Sequence, residues 1–319
     1  MASEGIKVVF GTASFGNRDP WIAEDYLNSA FSVLLAHGCN ILDTAQLYGE
    51  SEKRLGEVKA GEKFVIDTKW MGGWQPGWAT KENIINTAKQ SIEKLGVKQQ
   101  VDIFYIHCPD AATPLEETLA GVNEVYKTGV FKRFGLSNYS PADVQKVYNV
   151  CKANNYVLPT VYQGNYSPVA RRQETELFPT LTKLNIAFYA YSPLAGGFLT
   201  KTAQQIKDGA GRFSEEALGG MYRQMYMKPS YLEALSKWEQ IADDEGCSRA
   251  ELAYRWVTYN SPLKKQNGDG IIVGASTVEQ LEQTLSGIEK GPLSSKACEG
   301  IDKIWEEIKH EAPLDNFSR

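Results

Sequence analysis

Four chemically capable side chains stand at, or just past, the ends of three successive apolar runs. Asp43 closes residues 40–43, and Tyr48 follows five residues later, where the chain turns towards a helix. Lys69 closes residues 64–69 and His107 closes residues 101–107. An acid, a phenol, an amine and an imidazole suit the reduction of a carbonyl group. Hydride arriving at a carbonyl carbon builds negative charge on the oxygen, which needs a proton donor as that charge grows. A phenol is too weak an acid for this near neutral pH. An adjacent ammonium lowers its pKa, and a carboxylate keeps the amine charged. A neutral imidazole then hydrogen-bonds the same carbonyl and fixes its approach. Taken singly, each residue has an ordinary role: Asp43 as a turn cap, Lys69 as a solvated strand end, Tyr48 as a core tyrosine, His107 as a satisfied buried histidine. Their joint placement favours chemistry, and His107 alone among three histidines ends a strand.

Such groups meet only if the strand ends share one face. Eight strands are expected, at residues 7–11, 40–43, 64–69, 101–107, 132–136, 159–163, 186–191 and 270–274. Helical patterns separate nearly all of them, at 20–37, 80–95, 113–129, 140 onward, 174–184, 229–244, 249–259, 277–288 and 294–309. Thr80 opens one helix with a capping box, and Thr113 with Pro114 is read as the start of another. Parallel strands need crossovers and can close without an edge, so an α/β class (β/α)8 TIM barrel is the economical fold. It is read as one domain over residues 1–319, with long βα loops and a C-terminal helix and tail over the mouth. Residues 198–228 lack a clear period, which suggests a functional loop. An open doubly wound sheet is the competitor, but Gly11-Thr-Ala-Ser-Phe-Gly lacks its glycine spacing.

Composition narrows the function. The 319 residues carry a net charge of −5 with no Lys/Arg block, which argues against a nucleic-acid partner. Five cysteines without paired or metal-ligand spacing fit a reducing compartment and no metal centre. No run approaches a membrane span, so a cytoplasmic chain is expected.

At these residues the chain resembles the aldo-keto reductase superfamily. The resemblance rests on Asp43-Thr-Ala…Tyr48-Gly49, Lys69, Tyr105-Ile-His107, Gly135-Leu-Ser-Asn138, Gln163 and Tyr191-Ser-Pro-Leu194. Longer stretches, among them Phe104-Tyr-Ile-His-Cys-Pro-Asp and Pro159-Thr-Val-Tyr-Gln-Gly-Asn-Tyr, are similar to its aflatoxin-aldehyde and succinic-semialdehyde reductase branch. It implies NADPH-dependent reduction of aldehydes and ketones, with Tyr48 as acid and Asp43, Lys69 and His107 supporting it. Carried over by position, Ser137, Asn138 and Gln163 hold the nicotinamide carboxamide and Tyr191 stacks on its ring. Ser192, Leu194 and Gly196 approach the pyrophosphate. Arg212 and Arg223 are candidates for the 2′-phosphate, because guanidinium forks suit it. Gly274, Ser276 and Gln280 fall in the region that surrounds the 2′-phosphate, and Gln283 and Thr284 where the adenine is met. The superfamily's frequent Lys-Ser pair and downstream Arg are replaced by Gly274-Ala275 and Gln280, and Thr284 stands where the branch has Asn.

Trp70, Trp74, Trp78, Cys108, Tyr222, Met225 and Met227 are expected around the mouth, an aromatic and sulfur-rich wall for a bulky carbonyl compound. Arg319, with Arg223, is a candidate for a substrate carboxylate. A homodimer stays open beside a single chain. Two other functions compete: an NADP(H)-binding regulatory subunit, and a lyase using Lys69 as a Schiff base.

Overall fold

Runs rich in β-branched and aromatic residues form eight strands in the computed structural model, which describes residues 5–98 and 100–317. They are β1 (Lys7–Gly11), β2 (Ile41–Asp43), β3 (Val65–Trp70), β4 (Val101–Ile106), β5 (Phe131–Ser137), β6 (Pro159–Asn165), β7 (Ala187–Tyr191) and β8 (Gly270–Val273). All pair in parallel in sequence order, and β8 closes on β1 from Lys7 opposite Gly270 to Phe10 opposite Val273. This is the expected (β/α)8 barrel. Alternation sends one set of side chains inward, where Val9, Ile103, Tyr105, Val161, Tyr189 and Ile272 fill the barrel. The other set, including Phe10, Leu42, Ile66, Trp70 and Phe104, packs under the helices.

The helices are α1 (Glu24–Ala36), α2 (Ser51–Glu57), α3 (Lys81–Leu95), α4 (Leu115–Lys127), α5 (Pro141–Ala153), α6 (Gln173–Glu176), α7 (Phe178–Leu184), α8 (Ala203–Lys207), α9 (Met221–Tyr226), α10 (Pro229–Glu245), α11 (Arg249–Arg255), α12 (Val278–Glu289) and α13 (Ser295–Ile308). Thr80 accepts the Asn83 N–H at the start of α3, but the expected capping box is only half formed, because the Asn83 side chain donates to the Trp78 carbonyl instead. Other boundaries shift for local reasons. Thr113 does not cap α4; its hydroxyl donates instead to Asp110 at 2.7 Å, leaving Pro114 as the cap. The helix expected over 174–184 breaks at Leu177, because Pro179 has no N–H to continue the ladder. The aperiodic segment after β7 contains α8, α9 and three 3₁₀ turns. Helix α2 lies so close to α3 that a Cβ on Gly56 would stand 1.9 Å from the Lys94 carbonyl oxygen. No helix among the described residues is long and apolar enough to cross a membrane.

The seam where the first and last strands meet is laced from outside. Trp21 Nε1 donates to the Ser276 carbonyl at 3.0 Å, and the Val278 N–H donates to the Tyr26 hydroxyl at 2.8 Å. His37, just past α1, meets Glu289 at 2.7 Å through Nδ1 and Glu282 at 3.0 Å through Nε2, both on α12. The hydrogen bond to Glu289, above all, raises the imidazole pKa from its ordinary value. A raised folded-state pKa contributes stability that is full below the unfolded pKa and lost as pH rises through the folded one. Both carboxylates are half-exposed, so screening keeps the contribution below about 1 kcal/mol. His37→Gln is therefore expected to lower the unfolding free energy at about pH 6, with the difference vanishing by about pH 9. Urea melts at the two pH values test this, and a difference independent of pH would refute it.

Candidate active site

The strand ends converge on the short loop between β2 and α2, which is built around three hydroxyls. Ser51 Oγ donates to the Thr12 carbonyl at 2.8 Å, while its oxygen also meets Thr12 Oγ1 at 3.0 Å and Thr44 Oγ1 at 2.9 Å. Asn17 clamps the loop from the β1 side: its amide donates to the Tyr48 carbonyl at 2.8 Å and its oxygen accepts the Glu50 N–H. Gly49 has φ +54° and a Cβ there would lie 2.5 Å from the Asn17 side-chain oxygen, so glycine is required. Gln46 ties the same loop to α3 and to the residue after β3, donating to the Thr87 carbonyl and accepting the Met71 N–H. Tyr48 is thereby held half-buried over the barrel.

Beneath it Lys69, fully buried, donates to Asp43 Oδ2 at 2.6 Å and to the Thr44 carbonyl at 2.8 Å. Its Nζ lies 5.0 Å from the Tyr48 ring centre, and the Tyr48 and His107 rings meet edge-on at 5.7 Å. Burial pulls the Lys69 pKa down, but Asp43 and Tyr48 more than offset this and leave it raised, so the amine is an ammonium. Burial, with the Lys69 charge second, holds His107 well below its ordinary value, so the imidazole is neutral. The phenol differs from expectation. Burial raises the Tyr48 pKa, and the pull of Lys69 reduces that rise without reversing it. The ammonium thus opposes desolvation here and does not make the free phenol a stronger acid than usual.

Residues expected at a nicotinamide stand alongside. Ser137 ends β5 and Asn138 follows it, and the Asn138 amide donates to the His107 carbonyl at 2.9 Å. The Tyr191 hydroxyl donates to Asn138 Oδ1 at 2.7 Å. Gln163 donates to Asp43 Oδ1 at 2.9 Å, so its amide braces the ion pair. Past β7, a Cβ on Gly196 would fall 2.2 Å from the Tyr222 ring, whose hydroxyl meets Ser192 Oγ at 3.1 Å and accepts from Arg212 at 3.4 Å. Leu194 lies between them, half-buried. Across the seam Gly274, Ser276, Gln280 and Gln283 are exposed and Thr284 half-buried at the start of α12. The Tyr254 hydroxyl donates to the Gly274 carbonyl within reach of the Arg212 charge. Lys201, which the sequence reading passed over, is a second cation, close enough that Arg212 depresses its pKa after burial has.

The profile of the aldo/keto reductase family matches residues 7–306. The chain is 40% identical to oxidoreductase sirO of Leptosphaeria maculans, over 96% of this chain and 95% of that one. It is 37% identical to human aflatoxin B1 aldehyde reductase member 2, over 96% and 88%, and 36% identical to the rat protein of that name, over 96% and 86%. The chain belongs to the aldo/keto reductase family. It is an oxidoreductase acting on carbonyl compounds.

On the substrate side of this enzyme the structure corrects several expectations. Trp70 is fully buried outside the barrel, stacked on Phe104 at 3.8 Å with Nε1 bonded to the Ile84 carbonyl. Cys108 is also fully buried, wedged against Gly72 and Gly73, with burial pushing its thiol up to about 12. Neither lines the mouth. Tyr222 is also buried, packed against Gly196 on the segment after β7. Arg223 is a loop brace, directed at the Lys207 and Phe213 carbonyls rather than at a phosphate or carboxylate. Arg319 lies outside the described residues. What flanks Tyr48 and His107 is Trp74, edge-on to His107 at 5.9 Å, with Phe317 edge-on to Trp74 at 5.2 Å. The tail brings Phe317 there by an Asn316 N–H donated to the Tyr191 hydroxyl at 3.3 Å.

Removing one partner of a buried ion pair strands the other charge, which costs about 3–5 kcal/mol. Asp43→Ala is expected to lose that much unfolding free energy in urea melts, and adding Lys69→Met should recover part of it. Equal stability of Asp43→Ala and wild type would show that the pair does not hold the barrel end.

Proposed function

We propose that the enzyme reduces aldehydes and ketones to alcohols with NADPH, with Tyr48 as proton donor. The observation that carries this reading is the meeting of Tyr48, charged Lys69 and neutral His107 over one buried carboxylate, Asp43. When bound, the reduced nicotinamide supplies the hydride. The Tyr48 hydroxyl gives its proton to the developing alkoxide, and Lys69 stabilises the phenolate left behind. Asp43, held by Gln163, keeps Lys69 charged and in place. Neutral His107 donates a hydrogen bond to the carbonyl oxygen and fixes the face presented.

The residues fit a dinucleotide. Nothing lies within 4 Å of a Cβ built on Gly274, so the backbone before α12 is open to a ligand. Ser276, Gln280 and Gln283 supply exposed polar groups there, and Lys201 and Arg212 supply charge for a 2′-phosphate. Trp74 and Phe317, beside Tyr48 and His107, suit a flat aromatic carbonyl compound, and the names of the aflatoxin aldehyde reductases point to the same class of substrate. One barrel over residues 1–319 would carry both functions. The free cysteines suit a reducing cytoplasm, as a single chain or a homodimer.

Tyr48→Phe is expected to lower kcat by about 10²- to 10⁴-fold while NADPH binding, read by fluorescence titration, stays intact. Activity within a few-fold of wild type removes Tyr48 as the acid. Arg212→Ala with Lys201→Ala is expected to raise KM for NADPH well above its effect on NADH. An equal effect on both cofactors removes these cations from the 2′-phosphate.

A further inference from the structure

The inside of a (β/α)8 barrel is ordinarily packed with branched apolar side chains. Here Val9, Ile103, Val161 and Ile272 follow that rule, and Asp67 breaks it. Asp67 lies two residues before Lys69 on β3, so it faces the same interior one layer deeper, and it is the register partner of Asp43 on β2. It is fully buried. Its Oδ1 accepts the Ile103 N–H at 3.0 Å, while Oδ2 has no hydrogen-bond partner among the described residues. The Tyr105 hydroxyl, also fully buried, likewise has none. Tyr105 fits there because β5 offers Gly135, whose Cβ would stand 2.2 Å from the Tyr105 ring. Its ring lies 5.8 Å from Lys69 Nζ. The pair therefore sits between the Lys69–Asp43 bridge above and a second bridge below. There Arg133 forks onto Asp102 at 3.1 and 2.7 Å and donates to the Tyr189 hydroxyl at 3.3 Å.

A buried carboxyl with one oxygen unpaired is costly, and an apolar residue of similar size would pack as well. We propose that Asp67 is a positioning residue for the reaction, a second interior acid whose charge sets how strongly Lys69 can stabilise the Tyr48 phenolate. This rests on Tyr48 being the proton donor. Neutral, Asp67 leaves the Lys69 charge to Asp43 and Tyr48. Ionised, it adds a second negative charge behind Lys69 and opposes loss of the phenolic proton. The groups that face it from every side are Lys7 on β1, Asp43 on β2, Lys69 on β3, Asp102 and Tyr105 on β4, Arg133 on β5 and Tyr189 on β7. The interior of β6 and β8 at this depth is apolar, at Val161 and Ile272. Burial above all, then Asp102 and Asp43, raises its pKa well above the usual carboxylate value, with Arg133 and the Ile103 N–H opposing.

Asp67→Asn keeps the shape and the bond to Ile103 while fixing the group neutral. The test is the pH profile of kcat/KM for an aromatic aldehyde with NADPH from about pH 5 to about 10. Wild type is expected to lose activity on the alkaline side in two steps. Asp67→Asn loses only the later one, matching wild type at acid pH and exceeding it several-fold between the two steps. Infrared spectra of wild type without substrate supply an independent readout. A buried protonated carboxyl band, absent from Asp67→Asn, is expected to fade at the midpoint of the first kinetic step. Because the folded-state pKa of Asp67 is raised, wild type loses stability as pH rises from about 4, where the unfolded carboxyl ionises, so the variant is also expected to match wild type only below about pH 4 and to melt progressively higher above it. Superimposable profiles, or no such band, overturn the proposal. So does uniform destabilisation with an unchanged profile, which marks a merely structural residue. Full activity in Tyr48→Phe would instead overturn the assignment of the proton donor, leaving the infrared titration to report on Asp67 alone.

Discussion

The buried bridge between Lys69 and Asp43 is the constraint around which the open end of this barrel is arranged. An ammonium with no exposed surface is tolerable only when paired and hydrogen-bonded: Lys69 donates to Asp43 and to the Thr44 carbonyl, and Gln163 holds the carboxylate from behind. That requirement fixes the ends of β2, β3 and β6 relative to one another. Burial does most to keep His107 neutral, and the ammonium over which Tyr48 sits adds to it.

Much of this was legible in the sequence. Apolar runs that each end in one polar residue locate the strand ends, and parallel closure brings such ends to one mouth. The alternation of a strand carries further information. If Lys69 faces inward, Trp70 must face the helices, and it does, on Phe104 and Ile84. Neither the fate of Arg223 nor the role of Asn17 could be read in this way. Both act on backbone carbonyls of distant loops, and no periodicity or motif records where a loop carbonyl will point. Phe317 was missed for a similar reason, because a tail without pattern gives no sign of where it docks.

The side of the mouth after β7 is organised differently from the side around Lys69. It depends less on buried charge than on close approach. Gly196 admits the Tyr222 ring, and Tyr222 in turn carries Arg212 to the edge of the cleft. The segment after β7, which looks patternless as sequence, is therefore a set of short turns whose glycines take conformations with positive φ, Gly196 and Gly197 among them. Such a segment can be ordered without showing any period, since its contacts are scattered over its own turns, α10 and α11, as where Phe198 packs on Tyr231 and Arg249 donates to the Lys201 carbonyl.

The laced seam between β1 and β8 has a consequence for how the molecule holds together in time. Its two edges come from opposite ends of the chain, so their meeting carries a high loop-closure cost and joins elements that share no local contacts. The start of α12 lies on one edge, at the wall where a dinucleotide would rest. A ligand lodged there would tie the segment after β7 to the start of α12, slowing the opening of that side of the cylinder and shielding its loops from proteolysis.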